Sequence, residues 1–192
     1  MFEIAATPTV EQRQIALYWA DEAGKTATPA GHWLVIASDL LKEEHASLGR
    51  AAEVLVKLNI GMAESFIVGW RAKYKYNVLR PVTYVQMTMN SKWVPRVLAT
   101  PPFPSYPSGH SHQSTVAGMV LESFFGSTRE FTDNAHNDRG WGPRKFPSFM
   151  AAANEAGESR IYAGIHYRFD ITGGQAIGRC IATQVRGLKT ER

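Results

Sequence analysis

Residues 46–73 read ASLGRAAEVLVKLNIGMAESFIVGWRAK. Leu48, Ala52, Leu55, Met62, Phe66 and Trp70 recur in it at steps of three and four, with Asn59 filling the one polar gap. That is the period of a helix with a single apolar stripe, sustained too long for a strand. Continuing the stripe by three residues reaches Lys73 and puts an ammonium group on the inward face. Burying it unpaired is costly, so an anion is expected beside it.

Helical period persists on both sides. Thr9 can cap a helix, with Gln12 completing a capping box; that helix is predicted to run to about Asp21, with Gly24 ending it. Trp33, Ile36, Ala37, Leu40 and Leu41 mark a second helix after Pro29. Pro81 suits the first turn of another, with body VTYVQMTM. Residues 100–107 hold four prolines and are expected to be irregular. Ser108 opens a helix to about Phe125. Residues 126–147 are polar and rich in Gly and Pro, and read as a long surface loop. Ser148 caps a helix to about Tyr162. A last helix begins near Asp170, and its Gly173, Gly174, Ala176 and Gly178 suit close helix contact. No convincing strand run or internal repeat is visible. The expected fold is an all-α helical bundle.

At 192 residues the chain is expected to form one domain. A chain of that length buries roughly 70% of its unfolded surface and needs no staples. The net charge of +4 is modest, and no Lys/Arg stripe points to nucleic acid. The single cysteine, Cys180, excludes an intrachain disulfide and reads as a small core residue. No signal peptide and no membrane-spanning run is visible. With Met1 as the native start, the expected location is the cytoplasm.

Three stretches carry chemistry: Lys73-x6-Arg80-Pro81, Pro107-Ser108-Gly109-His110, and Ser159-Arg160-x5-His166-x3-Asp170. A helix opening at Ser108 presents free N–H groups and the positive end of its dipole, which suits an anion. Gly109 lets the backbone approach such an anion, the Ser108 hydroxyl adds a donor, and His110 can move protons. Taken alone, these four residues also read as an ordinary capped helix. Arg80 and Arg160 are planar forks that suit oxyanions. A histidine bonding through one ring nitrogen needs the other held, and Asp170 is placed to hold His166. A structural His–Asp pair is the plainer reading of those two by themselves.

In order and spacing the three stretches resemble the signature K-x6-RP, PSGH, SR-x5-H-x3-D of the type 2 phosphatidic acid phosphatase superfamily, without departure. That superfamily includes soluble bacterial acid phosphatases and vanadium-dependent haloperoxidases. Trp70, three residues before the lysine, and Phe103, seven before the PSGH histidine, resemble aromatics flanking vanadate in the haloperoxidase branch, though they read nearly as well as core residues. PPFPSYPSGHS and YWAD resemble that branch too, and Asp21 of YWAD could pair with Arg160.

The resemblance implies a vanadate-dependent haloperoxidase that oxidises halide with hydrogen peroxide to hypohalous acid. Vanadate would be bonded to His166 as the metal ligand. Lys73, Arg80, Ser108, Gly109 and Arg160 would bind its oxygens, and His110, Asp170 and Lys73 would join His166 in catalysis. Trp70 and Phe103 would line the substrate pocket. Phosphate fits the same cage, so a phosphatase acting on a phosphomonoester through a phosphohistidine is the alternative. A third reading is a non-catalytic oxyanion-binding fragment, because haloperoxidases resembling this chain are longer; 1–192 would then be the C-terminal part of a longer protein, and exposed apolar surface could drive a homodimer. Of the other histidines, His32 and His45 are expected on helix surfaces, His112 faces away from His110, and His136 lies in the polar loop. No zinc-ligand spacing is present.

Overall fold

The computed structural model describes residues 2–190. The helices are α1 (Phe2–Ala6), α2 (Val10–Tyr18), α3 (Thr28–Glu43), α4 (Leu48–Tyr76), α5 (Pro81–Thr88), α6 (Gly109–Phe125), α7 (Phe149–Tyr162) and α8 (Arg168–Arg186). Strands β1 (Phe131–Asp133) and β2 (Arg144–Phe146) pair antiparallel with Phe131 opposite Phe146. The expected helical bundle is present, with this two-stranded hairpin as the one sheet among the described residues. No helix among them is long and apolar enough to cross a membrane.

Helix α6 is the axis, with α4, α7 and α8 packed around it. It is buried at ten positions between Ser111 and Leu121, so most of its length has no solvent face. Glycines on the neighbours make the close approach possible. A Cβ at Gly61 would lie 2.6 Å from Val116, and one at Gly174 2.7 Å from the Ser108 carbonyl. At Gly178 it would meet Thr115 at 2.6 Å. Trp19, Trp33, Leu58, Leu121 and Phe149 fill the core around this axis.

The capping box at Thr9 forms as expected, but α2 stops at Tyr18 rather than Asp21. The stripe of α4 is rotated from the expected one. Val54, Leu58, Gly61, Met62, Ser65, Gly69 and Lys73 face inward, while Leu48 and Phe66 are exposed. The reason is the close contact with α6, which selects glycine and serine where bulk would not fit. The outer face is left with Val56, Ile60, Ile67 and Val68 exposed. Residues 126–147 are not merely a surface loop: Phe131 and Phe146 join the main core, and Asp133 and His136 are buried. Cys180 is exposed on α8, not in the core. His32 is buried, not on a helix surface.

Candidate functional site

The turn between α7 and α8 carries His166, and the first turn of α8 carries Asp170. One carboxylate oxygen, Asp170 Oδ2, accepts from His166 Nδ1 at 2.8 Å, from the Tyr167 N–H at 2.9 Å and from Ser105 Oγ at 2.5 Å. Burial pushes the Asp170 carboxyl up, but these donors outweigh it and hold it below the usual range. Burial, with Arg80 and Lys73 nearby, pushes His166 down to about 3 against the pull of Asp170. The ring is therefore neutral, and the hydrogen-bond pattern assigns its proton to Nδ1. Its Nε2 lone pair accepts from Arg80 Nη1 at 3.1 Å.

Arg80 is the cap residue of α5, held extended by Pro81 behind it. Its Nε donates to the Phe103 carbonyl at 2.7 Å and its Nη1 to the Ile165 carbonyl at 2.8 Å. The remaining nitrogen, Nη2, is buried without a hydrogen-bond partner. A buried guanidinium donor is expensive to leave unmade, so this atom marks where an acceptor belongs.

Lys73 faces inward as expected, but its partners are carbonyl groups rather than an anion. Its Nζ donates to Pro104 O at 2.9 Å, Ser105 O at 3.0 Å and Pro107 O at 2.6 Å. Burial, with Arg80 adding repulsion, pushes this ammonium down to about 7. Ser108 caps α6, its Oγ accepting from the Ser111 N–H at 3.4 Å. Gly109 is the first residue of α6, where a backbone N–H has no acceptor within the helix.

Arg160, at the end of α7, is buried; it donates to Ser159 Oγ at 2.8 Å and to the Ala16 carbonyl at 2.9 Å. Burial lowers it to about 10, against the attraction of Asp21. Asp21 feels that charge but does not pair with it directly. It pairs instead with His32 and His136. The Nε2 of His110 is buried without a partner, and burial followed by the Arg160 charge holds the ring well below its ordinary value.

These residues converge on a cleft of about 790 Å³. Asp21, Arg80, His110, Gln113, Arg160 and His166 form its polar part; Met62, Phe66, Trp70, Leu98, Phe103 and Ile165 form an apolar wall. Trp70 and Phe103 meet at 5.2 Å between ring centres. Lys73, Ser108 and Asp170 stand behind this surface, holding its members. His112 faces α4, and its Nδ1 lies 3.2 Å from Ser65 Oγ. Ser105 and Gln113 are site residues that the sequence did not single out. Ser105 lies inside PPFPSYPSGH, but nothing in spacing alone ties it to Asp170.

A family model described as the VCPO second helical-bundle domain matches residues 53–191. A bacterial vanadium-dependent iodoperoxidase structure superposes with a TM-score of 0.87 at 39% identity, over 91% of this chain and 43% of that one. A holo-type bacterial vanadium-dependent chloroperoxidase superposes at 0.77 with 16% identity, over 96% of this chain and 45% of that one; this likeness shows the fold alone. The chain thus spans less than half the length of these solved relatives. No curated protein matches it. With the family match covering most of its length, the chain belongs to the VCPO helical-bundle family, the haloperoxidase branch of the type 2 phosphatidic acid phosphatase superfamily.

Proposed function

We propose that this chain is the vanadate-holding domain of a haloperoxidase that oxidises halide with hydrogen peroxide to hypohalous acid. One observation carries the reading: the partnerless Nη2 of Arg80 stands at one end of the cleft beside neutral His166, whose Nε2 lone pair is met by Arg80 Nη1 alone. A tetrahedral oxyanion would give Nη2 the acceptor it lacks and would offer His166 Nε2 an electrophilic centre in exchange for its hydrogen bond from Nη1. His166 Nε2 would be the metal ligand, with Asp170 fixing its tautomer. Arg80, Arg160 and the Gly109 N–H would neutralise the oxygens, with Ser108 capping α6 and Lys73 adding charge from behind. Vanadate held there supplies a Lewis acid that makes hydrogen peroxide electrophilic toward halide.

His110 is the proton carrier in this reading. Its low affinity for a proton follows from burial and Arg160, and an anion beside it would raise that affinity toward neutrality. Trp70 and Phe103 would form the halide wall, desolvating a soft anion. The 39% identity to an iodoperoxidase makes iodide the halide to test first. The same His166 lone pair could attack a phosphomonoester, so phosphatase action through a phosphohistidine is the second reading. The apolar outer face of α4 is the surface through which a homodimer would form.

The test is peroxide-dependent oxidation of iodide and bromide by the purified chain with orthovanadate, against a vanadate-free control and a p-nitrophenyl phosphate arm. Vanadate-dependent halide oxidation is expected. A folded, vanadate-binding protein that hydrolyses the ester but oxidises no halide would replace the first reading with the second.

A further inference from the structure

Four buried side chains from four separate segments meet beside the cleft, and of them only Asp21 has been placed in its lining. Asp21 follows α2 with a left-handed backbone (φ 46°), His32 lies early in α3, Asp133 ends β1, and His136 precedes the 3-10 turn Asn137–Arg139. His32 Nδ1 is 3.0 Å from both oxygens of Asp21, and His136 Nε2 is 3.3 Å from Asp21 Oδ1. The donor atoms of Asp21, His32 and His136 all lie within 4.8 Å of one another. On its far side, His32 Nε2 meets Asp133 Oδ2 at 2.7 Å. Trp19 stacks on His32 at 4.6 Å, and the Tyr18 ring stands edge-on to His136 at 4.9 Å.

Two occupants of this cluster can be weighed. The first is a proton. His32 as an imidazolium would donate to both carboxylates, and although burial opposes charge, Asp133 and Asp21 raise the ring to about 9. That accounts for three residues and leaves the fourth unexplained. His136 Nε2 is buried and makes no aligned hydrogen bond, though it points at Asp21. The second occupant is a divalent cation. Ligand–metal bonds of about 2.0–2.2 Å meeting near the tetrahedral angle put donor atoms roughly 3.3–3.6 Å apart. The separations at Asp21 are that short or slightly shorter, so a small expansion seats an ion. Asp133 stands where a carboxylate backs a ligating histidine and fixes its ring. Charge permits the ion: two carboxylates and two neutral imidazoles balance one divalent cation, while Asp21 also feels the Arg160 charge without pairing with it.

We propose that Asp21, His32 and His136 form a site for a divalent transition metal of the zinc class, with Asp133 orienting His32. Two imidazoles and one carboxylate are borderline ligands that suit Zn²⁺ or Co²⁺ better than Mg²⁺ or Ca²⁺. The ion is structural: it ties the hairpin to α3 and to the segment after α2. Because Asp21 also faces the cleft, the ion sets the position of one cleft wall.

The experiment uses the full chain after chelator treatment, titrated with Co²⁺ by visible absorption and with Zn²⁺ by calorimetry. One equivalent is expected, with proton release on binding and a rise in Tm. His136→Gln is expected to abolish the cobalt spectrum, Asp133→Asn to weaken binding about 10- to 100-fold, and the exposed His45→Gln to change nothing. No stoichiometric binding to the parent chain overturns the proposal whether or not the variants fold. So does a cobalt spectrum that is the same in folded His136→Gln as in the parent.

Discussion

Replacing Asp170 by Asn tests the core of the site, because the shape stays and the charge goes. The asparagine oxygen can take the place of Oδ2 and keep all three donors, from Ser105, His166 and Tyr167. Each of these bonds then has a neutral acceptor. The gap between charged and neutral hydrogen bonds is about 1 kcal/mol apiece, so the three together lose about 3 kcal/mol of stability. At this chain length that lowers Tm by roughly 6–12 °C. The second effect falls on His166. Without the carboxylate, its imidazole is a poorer electron donor and its Nδ1–H tautomer is held less firmly. Loss of such a partner weakens ligation about 10- to 100-fold, or about 1.4–2.8 kcal/mol. Thermal unfolding reads the first effect; calorimetric titration with orthovanadate reads the second, and ¹⁵N shifts of the His166 ring report the tautomer. A folded Asp170→Asn protein that binds vanadate as tightly as the parent would refute the role given to this pair.

Two further outcomes concern the packing behind the site. Gly69→Ala would put a methyl carbon 2.3 Å from His112 Nε2, so α4 and α6 must separate; a loss of about 1–3 kcal/mol is expected in urea unfolding, and an unchanged midpoint would show that His112 moves aside freely. His112 itself is pushed down to about 3 by burial and then by the Lys73 charge. An unfolded histidine takes up its proton near pH 6.5, so between 6.5 and 3 the unfolded state holds more protons and stability falls as pH drops. His112→Gln should flatten that slope by as much as about 1.4 kcal/mol per pH unit, and identical urea-derived profiles for the two proteins would remove His112 as its source.

The helical class was legible because period and capping residues are local signals. Thr9, Ser108 and Ser148 start their helices where their side chains say they should. The inward face of α4 was not legible. Its contact surface is Gly61, Ser65 and Gly69, and hydrophobicity is blind to residues chosen for being small. The buried cluster of Asp21, His32, Asp133 and His136 was hidden for a related reason. Polar residues in polar segments read as solvated, and only tertiary contact across a hundred residues shows that they meet. The candidate cage was legible as a set of residue types, through its resemblance, but not as a division of labour. That Lys73 grips a loop while Arg80 keeps a free donor is a matter of which carbonyl lies where.

Between Phe103 and Pro107, four carbonyls receive Arg80 and Lys73, and the Ser105 hydroxyl holds Asp170 and through it His166. Residues from α4, from the cap of α5 and from the first turn of α8 therefore take their coordinates from one short proline-rich segment. It serves the site as a common datum. A displacement of the whole segment shifts every tethered group in the same sense and largely preserves their mutual spacing. A change within it, such as one inserted residue, moves them relative to one another all at once. Tolerance to drift and intolerance to a change of length are thus the same property of a single stretch of backbone.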